Sequence, residues 1–251
     1  MIKESAAYLR EIVHLDTHPV GIKLYAHRQE WKGSLLKNKT NICQMVSMSR
    51  YQGVTVAQTA DQMICSLGAA CLGMIKTPER FTSGEAVVGK YTNNAENGKQ
   101  FIKNTYKLGD NGRIFDIMVT GPLASMEDPD IVVIYLNPAQ ILPFIHAFTY
   151  DNGNKITADT VAEAALCSSM GYTLGEKKPI IGFPCAGDRR FAGTQSHELL
   201  IAFPISLLSP LIENLKTKAK TNPQLYPVAP AMNWVPVMPP AYTLQDDDLV
   251  D

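Results

Sequence analysis

No stretch of this chain approaches the roughly 18 consecutive apolar residues that a membrane-spanning helix needs, which excludes a helical bilayer span on sequence grounds. The first residues, Met1-Ile-Lys-Glu-Ser5, carry charges where a signal peptide keeps its apolar region, so a cytoplasmic location is expected. Charge of one sign is also missing. With 23 basic and 24 acidic residues the formal net charge is −1, and nothing points to a nucleic-acid or anionic-membrane partner. The glycine-rich phosphate loop, the Gly-x-Gly-x-x-Gly turn, the Gly-x-Ser-x-Gly elbow and the His-Glu-x-x-His helix are all absent. ATP hydrolysis, dinucleotide binding, serine hydrolysis and zincin chemistry therefore have no motif to rest on.

Closely spaced cysteines are lacking too. The nearest two, Cys65 and Cys71, have five residues between them, so no Cys-x2–4-Cys pair of the structural zinc type exists. Five cysteines in a reducing compartment are expected to be free, metal-bound or catalytic rather than paired in disulfides.

What is present is a globular chain of 251 residues, 45% apolar and 19% charged, long enough for a full core. Apolar spacing predicts an amphipathic helix over residues 3–15 and strands at Val20–Tyr25, Phe115–Thr120, Ile131–Leu136, Pro179–Phe183 and Leu199–Phe203. Ile131–Leu136 is a continuous apolar run of the kind buried on both faces. Asn137-Pro138 opens a helix, with asparagine as cap and proline in its first turn. Helical sequence is also expected over Asn41–Tyr51 and Thr160–Met170, and short β-like runs at Val54–Val56 and Met63–Ile64. Residues 90–113 read as a polar surface excursion, and from 221 onward a proline-rich tail anchored by Tyr226, Trp234 and Tyr242 rules out long helices. The class is α+β, one domain over residues 1–220 followed by the tail, which is the segment expected to mediate homo-oligomer contacts.

A suspected internal repeat organises the cysteines. In each half a β-like run leads to helical sequence with a cysteine, Cys43 or Cys167. A strand end with a second cysteine follows, Cys65 or Cys185, and glycine comes shortly after as Gly68 or Gly187. The intervals are similar, 22 positions from Cys43 to Cys65 and 18 from Cys167 to Cys185. Two pseudo-symmetric halves, about 1–113 and 114–220, would let four thiols meet near their axis. Dispersed single cysteines of this kind suit a [4Fe–4S] cluster, approached from several directions, better than zinc. The glycines would let backbone come close to a bulky inorganic group.

Several short motifs resemble the uncharacterised prokaryotic family called domain of unknown function 169. They are Pro19-Val-Gly-Ile-Lys23, Cys43 to Arg50, Cys65 with Leu72-Gly73 and Pro78-Glu79, Asn137-Pro-Ala-Gln140, Tyr150-Asp-Asn-Gly153, Pro184-Cys-Ala-Gly-Asp-Arg189 and Glu198 to Pro204. The resemblance covers most of residues 10–215. It implies a bacterial or archaeal protein, often of anaerobes, and no established activity; Cys43, Cys65 and Cys185 fall in its motif-like segments, Cys167 less securely, and Cys71 stands apart. An anaerobic setting favours an oxygen-sensitive cluster over zinc.

Three functional readings stand at this point. The leading one is an iron–sulfur protein with a [4Fe–4S] cluster on Cys43, Cys65, Cys167 and Cys185. It would serve electron transfer to a redox partner, or redox or lyase-type chemistry on a small anionic substrate. Arg189 and Lys23 are its candidate substrate contacts, and His197 with Glu198 a candidate acid–base pair. The second is a cofactor-free ligand-binding or assembly protein with core cysteines. The third is a thiol enzyme in which Arg189 activates Cys185. Against the roles of Arg189 and Arg190 stands an ordinary surface salt bridge to Asp188 or Glu198.

Overall fold

The computed structural model describes residues 1–221, 240–243, 245 and 248. Seven strands form one sheet in the order β2-β3-β1-β4-β7-β6-β5. They are β1 (Val20–Tyr25), β2 (Val56–Thr59), β3 (Ile117–Pro122), β4 (Ile131–Leu136), β5 (Thr157–Asp159), β6 (Ile180–Gly182) and β7 (Leu199–Pro204). Every neighbouring pair is antiparallel except β5 with β6 at one edge. The all-apolar run Ile131–Leu136 becomes β4, near the middle of the sheet and buried at all six positions.

Nine helices accompany the strands among the described residues: α1 (Ile2–Ile12), α2 (Ile42–Ser47), α3 (Ser66–Cys71), α4 (Glu79–Thr82), α5 (Ala95–Asn104), α6 (Pro138–Thr149), α7 (Ala165–Glu176), α8 (Ala186–Phe191) and α9 (Leu208–Thr221). Alternation along the strands sends side chains to two cores. On one face Val20, Ile22, Val133, Tyr135 and Leu200 pack with Ile42 and Met45 of α2, Leu67 of α3 and Leu166 and Met170 of α7. On the other, Val132, Ile134, Ile201 and Phe203 pack with Leu9 of α1, Phe144 of α6 and Leu211 and Leu215 of α9. Each such fully buried aliphatic or aromatic side chain contributes about 1.5–3 kcal/mol. The architecture is a mixed α+β domain with helices on both faces of the sheet.

Local signals set the helix starts. Asn137 Oδ1 accepts from the Gln140 amide at 2.8 Å while Gln140 Oε1 accepts from the Asn137 amide at 2.8 Å, a reciprocal capping box with Pro138 in the first turn. Gln140 Nε2 also donates to the Val13 carbonyl at 2.8 Å and so ties α6 to the end of α1. Asn41 and Gln44 make the same box at the start of α2. The helix that begins there continues as a π-helical turn over Met48–Gln52 and ends at Gly53, whose φ of 69° lies in the left-handed region.

Two expectations change. Met63–Ile64 forms no strand: Met63 makes only a single bridge to Thr40, and a 3-10 turn over Ala60–Gln62 precedes it. Cys65 is therefore the residue that caps α3, not the end of a strand. Cys185 likewise caps α8, three residues beyond the end of β6. Secondly, β3 pairs with β1 and β2, so a division at residue 113 separates a strand from its own partners. Read outward from the β1–β4 junction, the order is β1, β3, β2 on one side and β4, β7, β6 on the other, with antiparallel neighbours throughout. Most of the proline-rich tail, with Tyr226 and Trp234 and the oligomer contacts expected of it, lies outside the described residues.

Candidate functional site

The cysteine helices lie on one face of the sheet, and their packing crosses between the two strand groups. Helix α2, with Cys43, packs against α8, capped by Cys185; helix α3, capped by Cys65, packs against α7, with Cys167. The α3–α7 approach is close because Gly171 faces it: a Cβ there would lie 2.5 Å from the Cys71 carbonyl oxygen. The chain enters α7 through Ala164, whose φ of 59° is left-handed, a conformation costing a non-glycine residue about 1 kcal/mol or more.

All five cysteines are free thiols. Cys43 and Cys167 share a hydrogen bond, which together with burial holds the Cys167 thiol well above the ordinary range. Burial is the main cause raising Cys65 and Cys185, opposed by backbone N–H groups at each site, and Cys43 raises both further. Cys43 is thus within electrostatic reach of the other three. Cys65 Sγ accepts from the Gly68 amide at 3.4 Å, and Cys185 Sγ accepts from the Asp188 amide at 3.4 Å. Gly68 leaves open the place where two thiols approach, since a Cβ on it would meet Cys167 Sγ at 3.0 Å and Cys65 Sγ at 3.5 Å. Cys71 is fully buried, and burial drives its thiol far upward, as for an inert core residue. Among the described residues, no group of three or more His, Cys, Asp or Glu side chains is disposed to hold a metal ion.

Behind Cys185 lies a buried polar network for which no local pattern of residues is a sign. Arg50, 1% exposed, donates from Nε to Thr17 Oγ1 at 2.9 Å and from one guanidinium nitrogen to Glu198. Its guanidinium also stacks over the Tyr135 ring, 4.0 Å from the centroid. Tyr135 donates its hydroxyl to Asp188 Oδ1 at 2.8 Å. Burial pushes the Asp188 carboxyl up to about 6, against the pull of the Tyr135 hydrogen bond and the Arg50 charge. Arg50 Nη1 and Asp188 Oδ2, one donor and one acceptor, are both buried without a hydrogen-bond partner. Unmatched groups of this kind inside a protein are uncommon and each carries a desolvation cost.

The residues expected around the thiols fall elsewhere. Lys23 is held by Asp128 at 2.7 Å and Asp130 at 3.1 Å. It alternates along β1 with Ile22 and Leu24, which face the thiol-side core, so its side chain leaves from the opposite face of the sheet. Arg189 donates to the Gln195 carbonyl at 2.9 Å in an exposed position, and its charge acts on Asp188. His197 is exposed whereas Glu198 turns inward to Arg50 and accepts from the Gln195 amide at 2.7 Å, so the two do not form an acid–base pair. The salt bridge open to Glu198 is made by Arg50 instead of Arg189 or Arg190. Arg50, Tyr135 and Asp188 are the residues the sequence reading missed. The one available signal was Arg50 itself, a cation following the apolar helix of Cys43.

A single α+β sheet with cysteines entering one face from four helices is the class of protein that these observations define. The chain belongs to the DUF169 family, described as uncharacterised ArCR, COG2043, whose model matches residues 8–214. It is 27% identical over 222 residues to an uncharacterized protein of Methanocaldococcus jannaschii, MJ0308, a match covering 86% of this chain and 94% of that one. No solved structure matches the chain. No helix among the described residues is long and apolar enough to cross a membrane.

Proposed function

We propose that this is an iron–sulfur protein whose [4Fe–4S] cluster is held by Cys43, Cys65, Cys167 and Cys185. What supports the reading is that Cys43 shares a hydrogen bond with Cys167 and acts electrostatically on Cys65 and Cys185, while the fifth cysteine is sealed in the core. The reciprocal packing of α2 on α8 and α3 on α7 supports a duplicated scaffold that delivers two ligands from each half. So does the mirrored strand order about the β1–β4 junction. A polynuclear cluster bridges more widely set thiols than one zinc ion does.

The chain's own groups have definable tasks around such a cofactor. Amide groups of Gly68 and Asp188 donate to the sulfurs of Cys65 and Cys185 and favour their thiolate forms. Buried, protonated thiols must release protons to bind metal, so loading strengthens as pH rises. When bound, the cluster supplies one-electron chemistry or an iron site for a small anionic substrate. Arg50 provides buried positive charge nearby, and the site works in a reducing cytoplasm where free thiols persist. A small substrate or redox partner would reach such a cluster from the side of Cys65, the one exposed cysteine.

The test is anaerobic purification from an iron-replete host, with iron and sulfide assays and a visible spectrum. About four irons per chain are expected, with loss of most of them in C43S, C65S, C167S and C185S but not in C71S. A colourless wild-type protein, or iron that survives all four substitutions, overturns the reading.

A further inference from the structure

A second site lies away from the thiols, in the polar excursion. Thr77 follows α3 and its short exit turn, Asp110 lies in the 3-10 turn Leu108–Asn111, and Lys99 and Lys103 project from α5. With Lys76 and Lys107 they line a cavity of about 390 Å3. Its floor is rigid. Gly109 packs so closely that a Cβ would lie 2.3 Å from the Ile75 carbonyl oxygen and 2.8 Å from that of Ala70, and the Thr77 amide donates to the Gly109 carbonyl at 3.1 Å.

The charges there do not cancel. Lys107, with only 4% of its side chain exposed, donates to the Ile102 and Thr105 carbonyls at 2.6 and 2.7 Å, covering the negative end of the α5 dipole. The one carboxylate, Asp110, is engaged by Lys107 at 3.5 Å and by the Thr77 hydroxyl at 2.6 Å. Lys99 makes a 3.7 Å exposed contact with Glu96, a pair of little strength. Among the described residues Lys76 and Lys103 have no acidic partner within ion-pair distance. Four lysines against one occupied carboxylate, in a chain of net charge −1, concentrate positive potential in one concave place. No arginine lines the cavity, so the planar fork that suits carboxylates is missing, while lysines act as point charges toward tetrahedral, multiply charged oxyanions.

We propose that this cavity is a binding site for a phosphoryl anion of high charge, a diphosphate or triphosphate group free or on a small metabolite, held by Lys76, Lys99 and Lys103 over the Lys107–Asp110 floor. It stands independently of the cluster. The experiment is calorimetric titration of the full chain with inorganic pyrophosphate and tripolyphosphate at low and high salt. Saturable one-to-one binding that weakens with salt is expected, and K76A and K103A should each lower affinity roughly tenfold, the effect of one charge-assisted hydrogen bond. Both changes are on exposed side chains, and unchanged melting temperatures establish that the variants are folded. K177A/K178A, at a lysine pair that does not line the cavity, should leave binding as in wild type. Absence of saturable binding, retention of affinity in K76A/K103A, or equal affinity for citrate overturns the assignment.

Discussion

Helices α3 and α8 begin with one device and differ in what stands behind it. In each a cysteine occupies the cap position and its sulfur accepts an amide hydrogen bond at 3.4 Å from the residue three places on. At α3 that residue is Gly68, and the space a side chain would fill is where Cys65 and Cys167 approach each other. At α8 it is Asp188, whose carboxylate turns into the interior to meet Tyr135, with Arg50 and Glu198 beyond. Cys65 is exposed; Cys185 is 7% exposed. Backbone geometry sets the thiol, and the third residue decides whether the thiol faces an opening or a buried charge network. The α3 side is suited to admitting something from solvent. The α8 side is suited to fixing charge behind it.

The most severe way to break this contrast is at Arg50. Removing its guanidinium by Arg50→Ala leaves Glu198 and Asp188 as carboxylates without their cation in the interior, a loss expected to cost about 3–5 kcal/mol. Urea denaturation of the apo-protein measures it. A variant with wild-type stability would mean that the network contributes nothing to α8, and the distinction between the two helices would collapse to one of exposure.

A smaller effect, readable by pH, comes from Asp188. Its carboxyl titrates near 6 in the folded chain against roughly 3.9 when unfolded. The folded state therefore holds the proton more tightly. The stability this contributes is present below about pH 4 and is lost as pH rises through 6, about 3 kcal/mol in all. Asp188→Asn keeps an acceptor for Tyr135 and removes the titration. The wild-type minus variant stability should fall by that amount between pH 4 and pH 7.5. A difference that stays flat across the window would show that Asp188 is charged at no cost, and that its environment resembles the open surroundings of Cys65.

The sequence carried most of the strands and the helices of Cys43 and Cys167 because both are written locally, in apolar runs such as Ile131–Leu136 and in caps such as Asn137-Pro138, but not β5 or the short helix α8 that Cys185 caps. It misplaced Cys65 at a strand end because Met63-Ile64 has β-prone residues, while a strand also needs a neighbour and Met63 finds only one bridge. Pairings across long separations were out of reach. Glu198 lies 148 positions from Arg50, and the Lys23 partners Asp128 and Asp130 lie 105 and 107 positions away. Nothing beside these residues announces their partners, so Glu198 read as half of a His-Glu pair and Lys23 as a candidate substrate contact. The glycines after Cys65 and Cys185 read alike, as places where backbone could come close to a bulky group, and only Gly68 is crowded by thiols.

That last point gives the finest test of the comparison, because the same substitution should have opposite signs at the two helices. Gly68 and Gly187 both sit within short helices, where glycine is about 0.5–1 kcal/mol less favourable than alanine. Alanine at Gly187 would place its Cβ 3.7 Å from Cys185 Sγ, an ordinary contact with nothing else within 4 Å, so Gly187→Ala should stabilise the apo-protein by that increment. Alanine at Gly68 would meet Cys167 Sγ at 3.0 Å and Ile42 Cδ1 at 3.3 Å, both on elements fixed by the core. The thiol or the helix must shift, at about 1–3 kcal/mol, which outweighs the gain in helix propensity. Gly68→Ala should therefore destabilise, and should also lower iron content after anaerobic purification, because the displaced Cys167 no longer approaches Cys65. Paired denaturation curves decide it. If both alanines stabilise equally, Cys167 and Ile42 yield at no cost, and the crowding at Gly68 does not distinguish α3 from α8.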